Sequence, residues 1–205
     1  MPDEDPRPGA PARRLQILEA ALRTFERYGF RKTSMDDVAA AADISRPGLY
    51  LHFPSKQELF RATVLRALEA DLAAAQQALA DPDVELRDRL LAAFDVWTGR
   101  YIGPISADLA SLVSDNPELL GSEVESFPGR FAALVEDALV AASLADRETL
   151  ARDAAATLRS AAIGVKHEAT TREEFRLRFV RTVDLVLLAL ALPEPQRRRH
   201  AEDPP

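Results

Sequence analysis

The chain has 205 residues, 47% of them hydrophobic and 29% charged, with a formal net charge of −7. That length fits one recognition module plus a companion domain, and the hydrophobic content supports a sizeable core, which excludes global disorder. With no cysteine, disulfides and thiolate zinc sites are excluded, and the three histidines, at 52, 167 and 200, form no metal-ligand spacing.

Residues 1–11 carry four prolines and a glycine and read as a disordered arm. They are acidic rather than basic-then-apolar, so they do not read as a secretory leader. The first helix is expected from Pro11 to Tyr28, because Leu18, Ala21, Leu22 and Phe25 form one apolar stripe at i, i+3, i+4 and i+7. Gly29 stands where a left-handed residue closes a helix, and Phe30 can fold back onto Phe25. Ser34-x-x-Asp37 opens a short second helix as an acidic capping box. Ser45 caps a third, whose first turn tolerates Pro47. Pro54 ends that helix, and Ser55-Lys56-Gln57-Glu58 starts a long one reaching Ala80.

Between Arg13 and Glu58 there are eight Lys/Arg against six Asp/Glu, whereas the remainder of the chain is acidic. The only mildly basic stretch is therefore the one that could face phosphates. Its two short helices also satisfy the packing rule of a helix-turn-helix. Ala39 is small enough for a close crossing, Val38, Ala42, Ile44 and Leu49 can fill the shared core, and Asp43 occupies a turn that needs positive φ. The third helix projects Arg46, Pro47, Gly48 and Tyr50 from its first turns, and Arg46 suits the two acceptors of a guanine edge.

Further helices are expected at 83–101, 106–114, 117–125, 127–144, 147–167 and 171–192, punctuated by Pro82, Gly103-Pro104, Asn116-Pro117, Pro128 and a Thr171-x-x-Glu174 box. Trp97, Tyr101, Phe127, Phe131 and Leu134 could be core, or could line an apolar effector cavity. On helix 171–192, Phe175, Phe179, Val183 and Leu187 form one stripe while other leucines cover other faces, so burial on more than one side is expected. With the small-residue stripe Leu150, Ala154, Leu158, Ala161 and Val165 of helix 147–167, it is the expected dimer interface; burial inside one protomer is the alternative. The longest apolar run, Leu185 to Leu192, is too short to span a bilayer. Residues 193–205 read as a disordered tail, and its Arg197–Arg199 triplet as solvated.

The run TSMDDVAAAADISRPGLYLHFPSKQELF, with the preceding Y-G-F, resembles the N-terminal signature of the tetracycline-repressor (TetR) family across residues 13–60. The resemblance implies an all-α protein: a three-helix helix-turn-helix DNA-binding domain at 12–56, then a larger helical effector-binding and dimerisation domain at 57–192. It implies that Arg46, Pro47 and Gly48, behind the capping Ser45, face base edges. Tyr50, His52 and Lys56 would touch phosphates, as would Ser34 and Thr33 at the start of the second helix. The family often has glycine where Asp43 stands, and some members use a basic residue early in the second helix, where this chain has Asp36 and Asp37. Outside the signature, Arg7, Arg13 and Arg14 could form a minor-groove arm or a solubilising tail.

The expected activity is that of a cytoplasmic, homodimeric transcriptional regulator on a palindromic double-stranded operator, most simply a repressor released by a small hydrophobic or amphipathic effector. One alternative is a DNA-binding regulator governed by protein partners or by concentration. A helical enzyme is the third reading, but no nucleophile–base pair or metal cluster supports it, and no cofactor, metal or membrane partner is expected.

Overall fold

The computed structural model describes residues 10–102, 120–144 and 148–191, and is helical throughout them. The helices are α1 (Ala10–Lys32), α2 (Met35–Ala41), α3 (Arg46–His52), α4 (Lys56–Ala80), α5 (Leu86–Trp97), α6 (Phe127–Leu139), α7 (Glu148–Glu168) and α8 (Arg172–Ala191). The helix expected at 106–114 and the start of the one at 117–125 lie outside the described residues. From Ser122 to Ser126 the chain forms 3-10 turns rather than the expected α-helix. Arg7, the tail and its arginine triplet also lie outside.

Two hydrophobic cores share α4. The N-terminal core gathers Ile17, Leu18, Ala21 and Phe25 of α1, Met35, Val38 and Ala39 of α2, Leu49 of α3, and Leu59 and Phe60 of α4. Phe25, Phe30 and Phe60 pack as a triangle, with centroids 4.7–6.0 Å apart. The second core begins further along α4, at Leu72, Ala75 and Leu79, and continues through α5 to α8. A domain edge at residue 56 therefore falls at the start of a helix whose first two turns still complete the N-terminal core. Each large side chain buried here contributes roughly 1.5–3 kcal/mol.

One short segment belongs to both cores. Leu120 is buried in the N-terminal core, with Val124 against it, whereas Phe127 is buried in the other. Arg61 of α4 holds the segment through Glu123 at 2.9 Å. Gly121 has φ +70, a conformation strained for any other residue, and a Cβ there would displace the Arg61 guanidinium, 2.6 Å away.

The second core is aromatic at its centre. Phe94 meets Phe131 edge-on at 5.0 Å and Phe179 at 4.8 Å, and Trp97 stacks on Phe131 at 4.8 Å. The helix expected to reach residue 101 ends at Trp97, followed by one 3-10 turn over Gly99–Tyr101. Gly99 sits close against its neighbours in this turn, since a Cβ there would stand 2.7 Å from the Asp95 carboxylate and 3.0 Å from the Phe175 ring.

This packing occupies much of the expected dimer stripe. Ala154, Leu158, Phe175, Phe179 and Val183 are buried within the protomer, and Leu150, Ala161, Val165 and Leu187 pack against the same core. The first five face their own chain, and the last four keep part of their surface outside. What α7 and α8 leave outside is a different set: Ile163 (50% exposed), Leu177 (64%), Leu185 (67%) and Leu188 (61%).

Two buried carboxylates tie the second core together. Asp95 of α5 accepts from Arg172 at 2.6 and 2.9 Å and from Arg176 at 2.5 and 2.8 Å, both on α8. Burial alone would push its carboxyl up, but the hydrogen bonds from Arg176 and Arg172 outweigh that and hold it below the ordinary range. A folded-state value below the unfolded one stabilises above about pH 4, and that contribution fades as pH falls through the native value. Asp95→Asn should therefore cost about 2 kcal/mol at neutral pH, with the deficit narrowing at pH 3. Urea unfolding at both pH values checks this; a deficit independent of pH would assign the loss to packing alone. Asp71 of α4 is bonded by Arg100 and by the Tyr101 hydroxyl, and Arg100 also reaches Glu26 of α1 at 3.8 Å. Here burial wins, and the Asp71 carboxyl sits above the ordinary range.

Candidate nucleic-acid interface

The N-terminal unit is built so that one face of α3 is left outward. Ser34 caps α2: its hydroxyl accepts from the Asp37 amide at 3.1 Å, while its own amide and hydroxyl donate to the Asp37 carboxylate at 2.8 and 2.6 Å. Those two donors hold the Asp37 carboxyl below its usual range. Ser45 caps α3 by accepting from the Gly48 amide at 3.2 Å, with Pro47 in the first turn. Between the helices Asp43 adopts φ +51, the left-handed conformation the turn requires. Gly29 also has positive φ, +76, but with ψ 162 it is a kink and not a Schellman cap; one more turn follows it. Phe30 nevertheless folds back onto Phe25.

Along α3, Leu49 is buried and Phe53 follows it inward, whereas Arg46, Pro47, Tyr50 and Leu51 are exposed. Positions 46 and 50 form one i, i+4 ridge, and positions 47 and 51 the ridge beside it. The Arg46 guanidinium lies 5.7 Å from the Tyr50 ring. Gly48 and His52 are half-buried at the edges of this face, and Ser45 is exposed at its start. Sequence reasoning missed Leu51, which is 87% exposed. An apolar residue in a helix is ordinarily assigned inward; its place one turn after Pro47 was the available signal.

Several residues expected at phosphates have partners within the chain. Thr33 is buried, with its hydroxyl donating to the Gly29 carbonyl at 2.8 Å. The Ser34 hydroxyl is committed within the capping box, beside two acidic residues that would repel a phosphate. The Lys56 ammonium donates to the carbonyls of Phe30 and Thr33, both at 3.0 Å, and lies 4.4 Å from the Phe30 ring. It is a clasp between α4 and the α1–α2 junction. Arg13 and Arg14, read as an arm or a tail, are clasps too. Arg13 donates to the Asp43 carbonyl in the strained turn at 3.0 Å, and Arg14 to the His52 carbonyl at 3.2 Å while covering the Phe53 ring at 4.2 Å. Chain ends of helices carry carbonyls without intrahelical partners, and these three cations satisfy them.

Lys56→Met keeps the stem and removes the donors. It should lower stability by about 1.5–3 kcal/mol and leave the salt dependence of any DNA binding unchanged. A fall of about one in the slope of log K against log salt would restore the phosphate role.

Of the residues expected to line an effector cavity, Phe127 and Phe131 are buried in the second core, Trp97 and Leu134 are half-buried against it, and Tyr101 is half-buried with its hydroxyl on Asp71. Near them Lys166 of α7 is half-buried, 5.7 Å from the Tyr101 ring, and makes no ion pair among the described residues. Burial holds its ammonium below the ordinary range. Among the described residues no group of His, Asp and Glu could hold a metal ion, and no helix is long and apolar enough to cross a membrane.

Residues 17–63 match the family model for bacterial regulatory proteins of the tetR family. The chain is 43% identical over 60 residues to the HTH-type transcriptional regulator YfiR of Bacillus subtilis, covering 29% of each chain. It is 38% identical over 85 residues to the HTH-type transcriptional activator FasR of Mycolicibacterium smegmatis, covering 42% of this chain and 38% of that one. The matched stretches thus span well under half the length of these relatives. The whole fold resembles a TetR-like transcriptional regulator from Rhodococcus sp. RHA1, with a TM-score of 0.56 and 27% identity, covering 89% of this chain and 99% of the other. The signature carried by the capped α2–turn–α3 unit makes residues 17–63 a tetR-family regulatory segment, and the helical companion gives the chain the layout of TetR-like transcriptional regulators.

Proposed function

We propose that this protein is a sequence-specific, homodimeric DNA-binding regulator of transcription, working in the cytoplasm on a palindromic operator. The observation that carries the reading is the outward face of α3, where Arg46, Pro47, Tyr50 and Leu51 stand exposed on a helix fixed at both ends. Arg46 would donate to a guanine edge, and Pro47 and Leu51 would lie against thymine methyl groups. Gly48 lets the backbone approach, while Tyr50 and His52 would meet phosphates beside the groove. A dimer would set two such helices about 34 Å apart, in successive major grooves. Selection of duplexes from a random pool by the full chain tests this. A palindrome with half-sites about 10 base pairs apart is expected, and no enrichment would end the reading.

The dimer would form through the outward sides of α7 and α8, where Ile163, Leu177, Leu185 and Leu188 lie unburied. Exposed leucines concentrated on one helix suit a two-fold interface. Repression relieved by an amphipathic effector is the form of control the family resemblance favours. Trp97, Tyr101 and Leu134 are the half-buried groups such a molecule would meet, and Lys166, which has no carboxylate partner among the described residues, would receive an anionic end. Binding there would reach α3 through α4 and through the segment from Leu120 to Phe127, which belong to both cores. A second reading, control by protein partners or by concentration, is favoured by the complete burial of Phe127 and Phe131.

A further inference from the structure

The first turn of α2 carries two adjacent carboxylates with different employment. Asp37 is consumed by the capping box with Ser34. Asp36 takes no part in that box; its carboxylate instead accepts from Arg46 Nη1 of α3 at 3.1 Å. The pair bridges the two helices of the helix-turn-helix on its outer surface, with side chains 61% and 59% exposed. A pair that open to water contributes little to stability. It also places a negative charge beside the face proposed to meet a polyanion, a disadvantage for affinity that calls for some other use.

Arginine has five N–H donors in a planar fork, and one is engaged here. Among the described residues the guanidinium makes no other hydrogen bond, and the Tyr50 ring lies one turn on. Asp36 and Tyr50 thus hold the fork from two sides while leaving a pair of donors for the two acceptors of guanine. A free arginine loses much rotamer freedom on binding, and a side chain ordered beforehand loses less. We propose that Asp36 is a positioning residue: it orients Arg46 for guanine and thereby raises selectivity, at the expense of general affinity for DNA. This rests on the DNA-binding reading of α3.

The two effects have opposite signs, which separates positioning from a merely structural role. The base pair read by Arg46 is first located in the duplex selected by the wild-type protein, as the position where changing the pair weakens the wild type and not Arg46→Ala. Affinities for the selected duplex and for that single-pair variant are then measured with Asp36→Ala and Asp36→Asn at fixed salt. Asp36→Ala should bind the variant duplex about twofold more tightly, because a repelling charge has gone. It should discriminate between the two duplexes about three- to tenfold less well. Asp36→Asn, which keeps an acceptor oxygen, should gain the same general affinity and retain most of the discrimination. Unchanged discrimination in Asp36→Ala overturns the positioning role and leaves the DNA-binding reading standing. Increased discrimination overturns it too, by making Asp36 a competitor for Arg46. Failure of the wild-type protein to select any duplex overturns both.

Discussion

Leu185→Asp combined with Leu188→Asp is expected to yield a folded monomer. Both side chains are more than 60% exposed on α8, so the protomer core does not depend on them. In a two-fold interface each substitution occurs twice, and four apolar contacts become four carboxylates brought close to their symmetry mates. With roughly 1.5–3 kcal/mol for each buried leucine, association should weaken by about 6 kcal/mol or more, over four orders of magnitude in dissociation constant. Binding to a palindrome should fall in step, because two reading helices no longer arrive together. Sedimentation equilibrium at micromolar concentration is the measurement, and a double variant that remains dimeric would place the interface elsewhere. Phe179→Ala supplies the contrast. That ring sits inside the protomer against Phe94 and Phe175, so its loss should appear as about 3–5 kcal/mol of unfolding free energy.

Arg46→Ala is expected to remove about 1–3 kcal/mol from binding to the selected duplex and to abolish preference at one base pair per half-site. In a dimer the loss is felt at both half-sites. Stability should barely change, since Arg46 contributes only an exposed pair with Asp36. Competition binding against duplexes altered at single positions gives the answer. An equal loss on every duplex would reassign Arg46 to the phosphate backbone, and no loss at all would remove it from the interface.

The residues that announce the fold act locally. Ser34 with Asp37 and Ser45 with Pro47 each fix their helix start through neighbours within four positions, so they could be read along the chain. The positive φ of Asp43 was legible for the same reason. The clasps made by Arg13, Arg14 and Lys56 could not be read from the sequence, because their carbonyl partners lie 30, 38, 26 and 23 positions away. A cation in a sequence shows its charge but not which carbonyl it satisfies. The stripe of Phe175, Phe179 and Val183 was found, yet its owner was not. Periodicity reports that a face is buried, and cannot tell a partner's core from the chain's own. The close approach of Phe175, remote in sequence, to Gly99 could not be read along the chain.

The stretch from Leu120 to Phe127 means that the reading head is not a detachable module. Its apolar centre is sealed by a leucine supplied from well beyond the long helix that seems to delimit it. Excising residues 10–80 would leave a hole where that leucine sat. Grafting a foreign head onto this body would force a stranger's side chains to fit the same stopper. Exchange of heads between relatives must therefore transplant residues 120–126 as well.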